Sequence, residues 1–324
     1  MTGIILTQYN GKIIGPIAKL LGYLMNAIFE FLNMIKIPNI GLSIIIFTIV
    51  IYLLLMPLTI KQQKFSKLSA KMNPELQAIQ KRYKDKKDND SMMAMNAETK
   101  AVYAKYGVSP SGSCLQLLIQ MPILFALYRV IYNMPAYVTR IRDAFGVIAD
   151  SIIASGKVSE IQNLKVAAAY ARNFAIDERN AVIDVLYVMN NKDLAAYATG
   201  HEDVLEQISH FNNFLGINIA NSPSFMISDA WNAEGGPQIL LIIAALLIPL
   251  LSAFTQWLNV KLMPQQAQQD DKNVSDQQAS MQQSMKMMNN FMPIMSAFIA
   301  FSVPAGLGLY WIATAVIQTI IQIC

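Results

Sequence analysis

Histidine and cysteine are nearly missing from this chain of 324 residues, which holds two of each: His201 and His210, Cys114 and Cys324. Two distant cysteines are too few for a disulfide framework and lack the spacing of a metal knuckle. Both histidines fall in one polar stretch, so no apolar segment can supply a Ser-His pair or a histidine metal site. A Walker-type phosphate loop is also lacking: Gly156-Lys157 is followed by Val158 and has no upstream partner glycine. An ATP-driven pump is therefore not expected, and no cofactor or metal is implied. Charge is scarce too, at 14% of residues against about 25% in soluble proteins.

What is abundant is apolar surface. Apolar residues make up 54% of the chain and mean hydropathy is +0.36, which points to an integral membrane protein. A spanning helix needs about 20 mostly apolar residues, and five segments meet that rule: 41–60, 113–133, 237–258, 287–303 and 305–323. Only Pro304 separates the last two, which predicts a tight hairpin. A sixth apolar stretch, 12–36, carries Lys12, Lys19, Asn26, Glu30 and Asn33 at roughly heptad spacing. Polar groups on one face predict a helix lying in the membrane interface over 1–40; an uncleaved signal segment or a true span is the alternative.

The charges sit between the spans. Residues 61–112 hold 11 Lys/Arg and 5 Asp/Glu, whereas 134–236 hold 7 and 12. The positive-inside rule then makes 61–112 cytoplasmic and 134–236 an extracellular domain, with the N-terminus outside and the C-terminus inside. Five spans require termini on opposite sides, so the assignment is self-consistent. Apolar residues at three- and four-residue spacing (Phe65, Leu68, Met72, Leu76, Ile79) predict a helical hairpin for 61–112, either a solvated topology marker or a basic docking element. The acidic domain has helical periodicity and no catalytic constellation. Residues 259–286, rich in Gln, read as a cytoplasmic linker. The fold class expected is all-α, with five transmembrane helices, an interfacial N-terminal helix, a cytoplasmic helical hairpin and a helical extracellular insertion.

Polar side chains inside spans are costly unless they face one another or a wet cavity. At 100° per residue, Thr48, Tyr52 and Thr59 share a sector of the first span, and Gln116 and Gln120 share a face of the second. Tyr310, Thr314, Gln318 and Gln322 repeat every fourth residue in the fifth. Each stripe alone could be interhelical hydrogen bonding; three together point to a shared hydrophilic groove. That groove contains no Asp, Glu, His or Lys, so acid-base catalysis in the membrane is not expected. Arg129 is the single charge within a span. Its phase points away from the Gln face and its depth lets it snorkel to water, although a kink at Pro122 could turn it inward.

Several strings resemble the YidC/Oxa/Alb family of membrane protein insertases: PLTIKQQKFSKLSAKMNPELQAIQKRY after the first span, YGVSPSGSCLQLLIQMPILFALYRVI into the second, FLGINIANSP before the third, and MMNNFMPIMSAFIAFSVPAGLGLYWIATAVIQTIIQ across the last two. They cover roughly 12–133 and 211–323, in a bacterial form with an enlarged extracellular loop. The resemblance implies a non-enzymatic insertase and chaperone of a bacterial plasma membrane. Its groove, open to cytoplasm and lipid, would receive the hydrophilic part of a nascent client. Thr48, Tyr52, Gln116, Gln120, Arg129, Tyr310, Thr314 and Gln318 are its candidate lining. Nascent membrane-protein clients, membrane lipids, the ribosome and the general secretion (Sec) channel are the implied partners, with no direct nucleic-acid specificity. One departure stands out: where the family places an arginine in the first span, this chain has Tyr52. The family's basic tail beyond the fifth span is also not seen before Cys324. A small-solute transporter would instead call for paired inverted repeats, which are not evident, and a non-inserting assembly factor would tolerate apolar groove stripes.

Overall fold

Long apolar helices alternate with short ones in the computed structural model, which describes residues 8–9, 11–83, 86, 88–108, 112–233, 235–262 and 291–323. The Gln-rich linker from 263 onward and residues 287–290 of the fourth expected span lie outside them. Of the described residues, 81% are helical. In order, the helices used below are α1 (Ile14–Met34), α2 (Ile40–Leu54), α3 (Met56–Tyr83), α4 (Asn89–Lys105) and α5 (Gly112–Tyr132). Then follow α6 (Met134–Tyr137), α7 (Thr139–Ala154), α8 (Val158–Gln162), α9 (Ala171–Phe174), α10 (Glu178–Val188), α11 (Asn191–Tyr197), α12 (Glu202–Asn212), α13 (Pro223–Trp231), α14 (Ile239–Leu262), α15 (Phe291–Ser302) and α16 (Ala305–Ile323). Among the described residues, α14 and α16 are each long and apolar enough to cross a membrane. A third span arises if α2 and Met56–Ser69 are taken together, although the two are bent by 66°. The bend at Leu55 falls just before Pro57, which has no N–H to donate to the Leu53 carbonyl and whose ring crowds that carbonyl. Thr59 therefore does not continue the sector of Thr48 and Tyr52, because the helical phase does not carry across the bend.

The chain divides into two compact units. The first comprises Met1–Val50, Met121–Ser252 and Ser296–Thr314. Its core gathers the long apolar residues of the 134–236 segment: Phe145 of α7 meets Tyr187 of α10 edge-on at 5.8 Å, and Phe29 of α1 meets Phe211 of α12 at 5.2 Å. Polar contacts fix α1 to this segment, with Arg140 on Glu30 at 3.0 Å and the Thr139 amide donating to Asn26 Oδ1 at 2.9 Å. Asn39 caps α2 by accepting from the Leu42 amide at 3.1 Å, and its Nδ2 donates to the Asn213 carbonyl at 2.7 Å. A two-residue turn, Leu215–Gly216, joins strands Asn213–Phe214 and Ile217–Asn218. Both turn residues have positive φ, 53° and 83°, the geometry that matches the twist of a tight hairpin.

Just after that hairpin the chain seats the start of α16. The Ala305 and Gly306 amides, which a helix start leaves unpaired, donate to the carbonyls of Asn221 at 2.8 Å and Ile219 at 3.0 Å. A side chain at Gly306 would press on Ile44 of α2 and Ile131 of α5, so glycine here permits the close approach of three apolar helices.

The second unit comprises Ile51–Gln120, Ala253–Met295 and Ala315–Cys324. Its α3–α4 hairpin has a small core of Met72, Ile79 and Val102, flanked by Leu76 and Tyr103. Asp88 caps α4 by accepting from the Ser91 amide. Two ion pairs stitch the arms: Lys105 to Glu75 at 2.8 Å, with Tyr106 donating to the same carboxylate at 2.7 Å, and Arg82 to Glu98 at 2.9 Å, with Tyr83 donating to it at 2.9 Å.

Candidate functional site

In the second unit, three apolar helices bring amide and phenol side chains together. Gln322 Nε2 donates to Asn259 Oδ1 at 2.5 Å, Asn259 Nδ2 donates to Gln318 Oε1 at 2.7 Å, and Gln318 Nε2 donates to the Tyr52 hydroxyl at 2.9 Å. The chain of bonds thus passes from α16 to α14, back to α16, and on to α2. Gln318 and Gln322 are one turn apart on α16, and Asn259 bridges them because α14 stays helical to Leu262. Asn259 is 2% exposed and Tyr52 is 6% exposed. The array carries no formal charge. One valence is left over: Gln322 Oε1 is buried with no hydrogen-bond partner.

The structure brings together two of the residues expected at a groove, Tyr52 and Gln318. Gln120 belongs to the same unit and is half-buried. Gln116 lies on α5, but its side chain is outside the described residues. Thr48, Arg129, Tyr310 and Thr314 belong to the first unit. Thr48 is fully buried and spends its hydroxyl on the Ile44 carbonyl of its own helix at 2.6 Å. Tyr310 is buried, and Thr314 Oγ1 is buried without a hydrogen-bond partner. In the same unit, Ser252 of α14 and Ser296 of α15 share a hydroxyl bond at 2.7 Å.

Arg129 is exposed, and its guanidinium sits over the Tyr9 ring, 4.5 Å from the centroid. That partner is remote in sequence, so helical phase alone could not have identified it. Sequence reasoning also left Asn259 in the linker, since the Gln-rich run that follows masks the helix end. The available signal was spacing: Ser252, Thr255 and Asn259 recur at three and four residues along α14, a polar stripe like the others.

Among the described residues no group of three His, Cys, Asp or Glu side chains could hold a metal ion. A strongly perturbed carboxyl lies elsewhere, in the 134–236 segment. Burial pushes the Asp184 carboxyl up to about 7, opposed by a hydrogen bond from Asn173 and reinforced by Asp177.

An all-helical membrane protein with a neutral hydrogen-bonded polar array among its apolar helices is the class that fold and site define. The profile of the 60Kd inner membrane protein family matches residues 31–324, and the chain belongs to that family, also called YidC/Oxa/Alb. It is 40% identical over 117 residues to the membrane protein insertase YidC of Fusobacterium nucleatum, covering 34% of this chain and 55% of that protein. It is 43% identical over 98 residues to the membrane protein insertase MisCA of Bacillus subtilis, covering 30% and 37%. With the membrane protein insertase YidC of Bifidobacterium longum it is 34% identical over 139 residues, covering 42% of each. The matched segments thus span from about a third to just over half of these relatives.

Proposed function

We propose that this chain is a non-enzymatic membrane protein insertase and chaperone that receives the hydrophilic part of a nascent client at a polar groove. The observation that carries the reading is the uncharged array Tyr52–Gln318–Asn259–Gln322. Amide and hydroxyl groups can exchange partners with water or with a client backbone, and breaking such a bond leaves no uncompensated charge behind. The unpartnered Gln322 Oε1 supplies an acceptor that such a guest can satisfy. The names borne by the relatives support the same activity. In this reading the chain spans a bacterial plasma membrane five times, with the α3–α4 hairpin cytoplasmic and the 134–236 domain outside.

Energy comes from the client. Each CH2 moved into lipid contributes about 0.8 kcal/mol, so a 20-residue apolar segment outweighs the passage of a short polar tail. Because Tyr52 stands where an arginine is expected and Arg129 is engaged with Tyr9, client tails are received by hydration and hydrogen bonding, not by charge. The test is insertion into purified proteoliposomes of a single-span client carrying an acidic tail or a matched neutral tail. Similar protein-dependent rates for both are expected. Replacing two partners, Gln318→Leu with Asn259→Leu, is expected to slow both about tenfold, the worth of one to two hydrogen bonds. Undiminished insertion by this folded variant would favour an assembly factor whose array is only packing.

A further inference from the structure

We propose that the N-terminal end of α1 forms a binding site for the phosphate headgroup of an anionic lipid, independent of the groove. The first 29 residues hold Lys12 and Lys19 and no acidic residue, so no carboxylate near them in sequence offsets their charge. The structure turns that charge into a site. A cavity of about 330 Å³ is lined by Gln8, Tyr9, Lys12, Lys19 and Tyr137, together with the small or rigid residues Gly11, Gly15 and Pro16. Its wall is built, not draped: the Tyr9 amide donates to the Tyr137 hydroxyl at 3.1 Å, and Gln8 Nε2 donates to the Ala136 carbonyl at 2.7 Å. Neither lysine forms an ion pair among the described residues. A third cation, Arg129, rests over the ring of Tyr9 and adds to the positive potential.

The placement of this cavity on α1 points to a lipid as the source of the phosphate. At 100° per residue, α1 has three sectors. Ala18, Leu21, Met25, Phe29 and Leu32 are buried against the rest of the first unit. A second sector exposes large apolar side chains, among them Ile13 at 73%, Leu20 at 68% and Met34 at 73%. Lys12, Lys19, Asn26, Glu30 and Asn33 run as a narrow polar strip between the two. A helix that is apolar on both its packed and its free side, with cations along one border, lies at the depth where acyl chains give way to headgroups. There a bound phosphate meets two ammonium groups, and the adjoining apolar sector meets the acyl chains of the same molecule. Free inorganic phosphate would use only the first half of this arrangement.

The experiment uses the full chain in nanodiscs of equal phosphatidylglycerol and phosphatidylcholine, released and weighed by native mass spectrometry. Retained lipid is expected to favour phosphatidylglycerol by at least about fivefold, the effect of a single basic residue at a lipid surface. Lys12→Gln with Lys19→Gln is expected to remove that preference, and Lys12→Arg with Lys19→Arg to keep it. An unchanged preference in the glutamine variant, or none in the wild type, would overturn the proposal. So would inorganic phosphate displacing the lipid at equimolar concentration, which would make the site one for free phosphate. Should the glutamine variant fail to fold, the wild type still decides: a phosphatidylglycerol analogue with a photoreactive headgroup is expected to label the segment of Lys12 to Lys19, and labelling elsewhere alone would refute the site.

Discussion

The α3–α4 hairpin and the polar array on α2, α14 and α16 solve the same problem, joining helices through polar side chains, with opposite chemistry. In the hairpin the bonds are charged: Glu75 takes Lys105 and Tyr106, and Glu98 takes Arg82 and Tyr83. The lysine hydrogen bond, followed by that of Tyr106, holds the Glu75 carboxyl below its ordinary range, and both groups are open to solvent. In the array every bond joins neutral groups, and Asn259 and Tyr52 are buried. Water makes ions inexpensive in the first place and burial makes them costly in the second. The difference also bears on function. An ion pair fixes two arms, whereas in the proposed reading amide bonds can be traded for those of a client polypeptide.

Moving charge across that divide gives the largest expected effect. Asn259→Asp keeps the shape of the side chain but puts an ion amid Gln318 and Gln322, and is expected to cost about 3 kcal/mol or more. Thermal unfolding in detergent at pH 8 measures it, and the cost is expected to shrink as acid neutralises the new carboxyl. A natural version of the experiment exists at Asp184, buried in the 134–236 segment with Oδ2 unpartnered. Its carboxyl titrates at about 7 in the folded chain against an ordinary 3.8, so the folded state binds the proton more tightly. Stability is therefore expected to be highest below pH 4, to fall as pH rises toward 7, and to level off above it, by roughly 1.4 kcal/mol per pKa unit at most. Asp184→Asn is expected to flatten that fall; a slope unchanged in the variant would assign it to other groups. The smallest effect belongs to the hairpin. Glu75→Gln removes an exposed ion pair and is expected to leave insertion unchanged and to lower the unfolding midpoint only slightly at pH 7; because the carboxyl's pKa is lowered, that small contribution is present at pH 7 and fades as pH falls through that pKa, so wild type and variant are expected to converge in acid.

Much of this molecule was readable from spacing, because its signals are local. The three- and four-residue repeat from Phe65 to Ile79 gave the hairpin arm, and Pro304 gave the break between α15 and α16. The heptad-like polar residues from Lys12 to Asn33 marked the strip along α1, and the four-residue repeat from Tyr310 onward marked the face of α16 that carries Gln318. What spacing could not show depended on distant partners. The bend at Leu55 separates Thr59 from the stripe it appeared to extend. Asn259 gains its meaning only from Gln318 and Gln322, 59 and 63 residues away. Arg129 finds Tyr9 on a segment 120 positions earlier, and Asp184 sits in a helix whose neighbours bury it on all sides. Composition identifies a buried carboxylate no better than an exposed one.

The central claim, that the neutral array receives the hydrophilic part of a client, is tested most directly by photo-crosslinking. A photoreactive residue replaces Gln318, or in a second protein Phe298, which is 68% exposed on α15, and each is presented with a stalled membrane-protein chain. Crosslinks from position 318 to the hydrophilic flank of the client, with none to that flank from 298, are the result expected. Crosslinks to the flank from 298 and none from 318 would contradict the account.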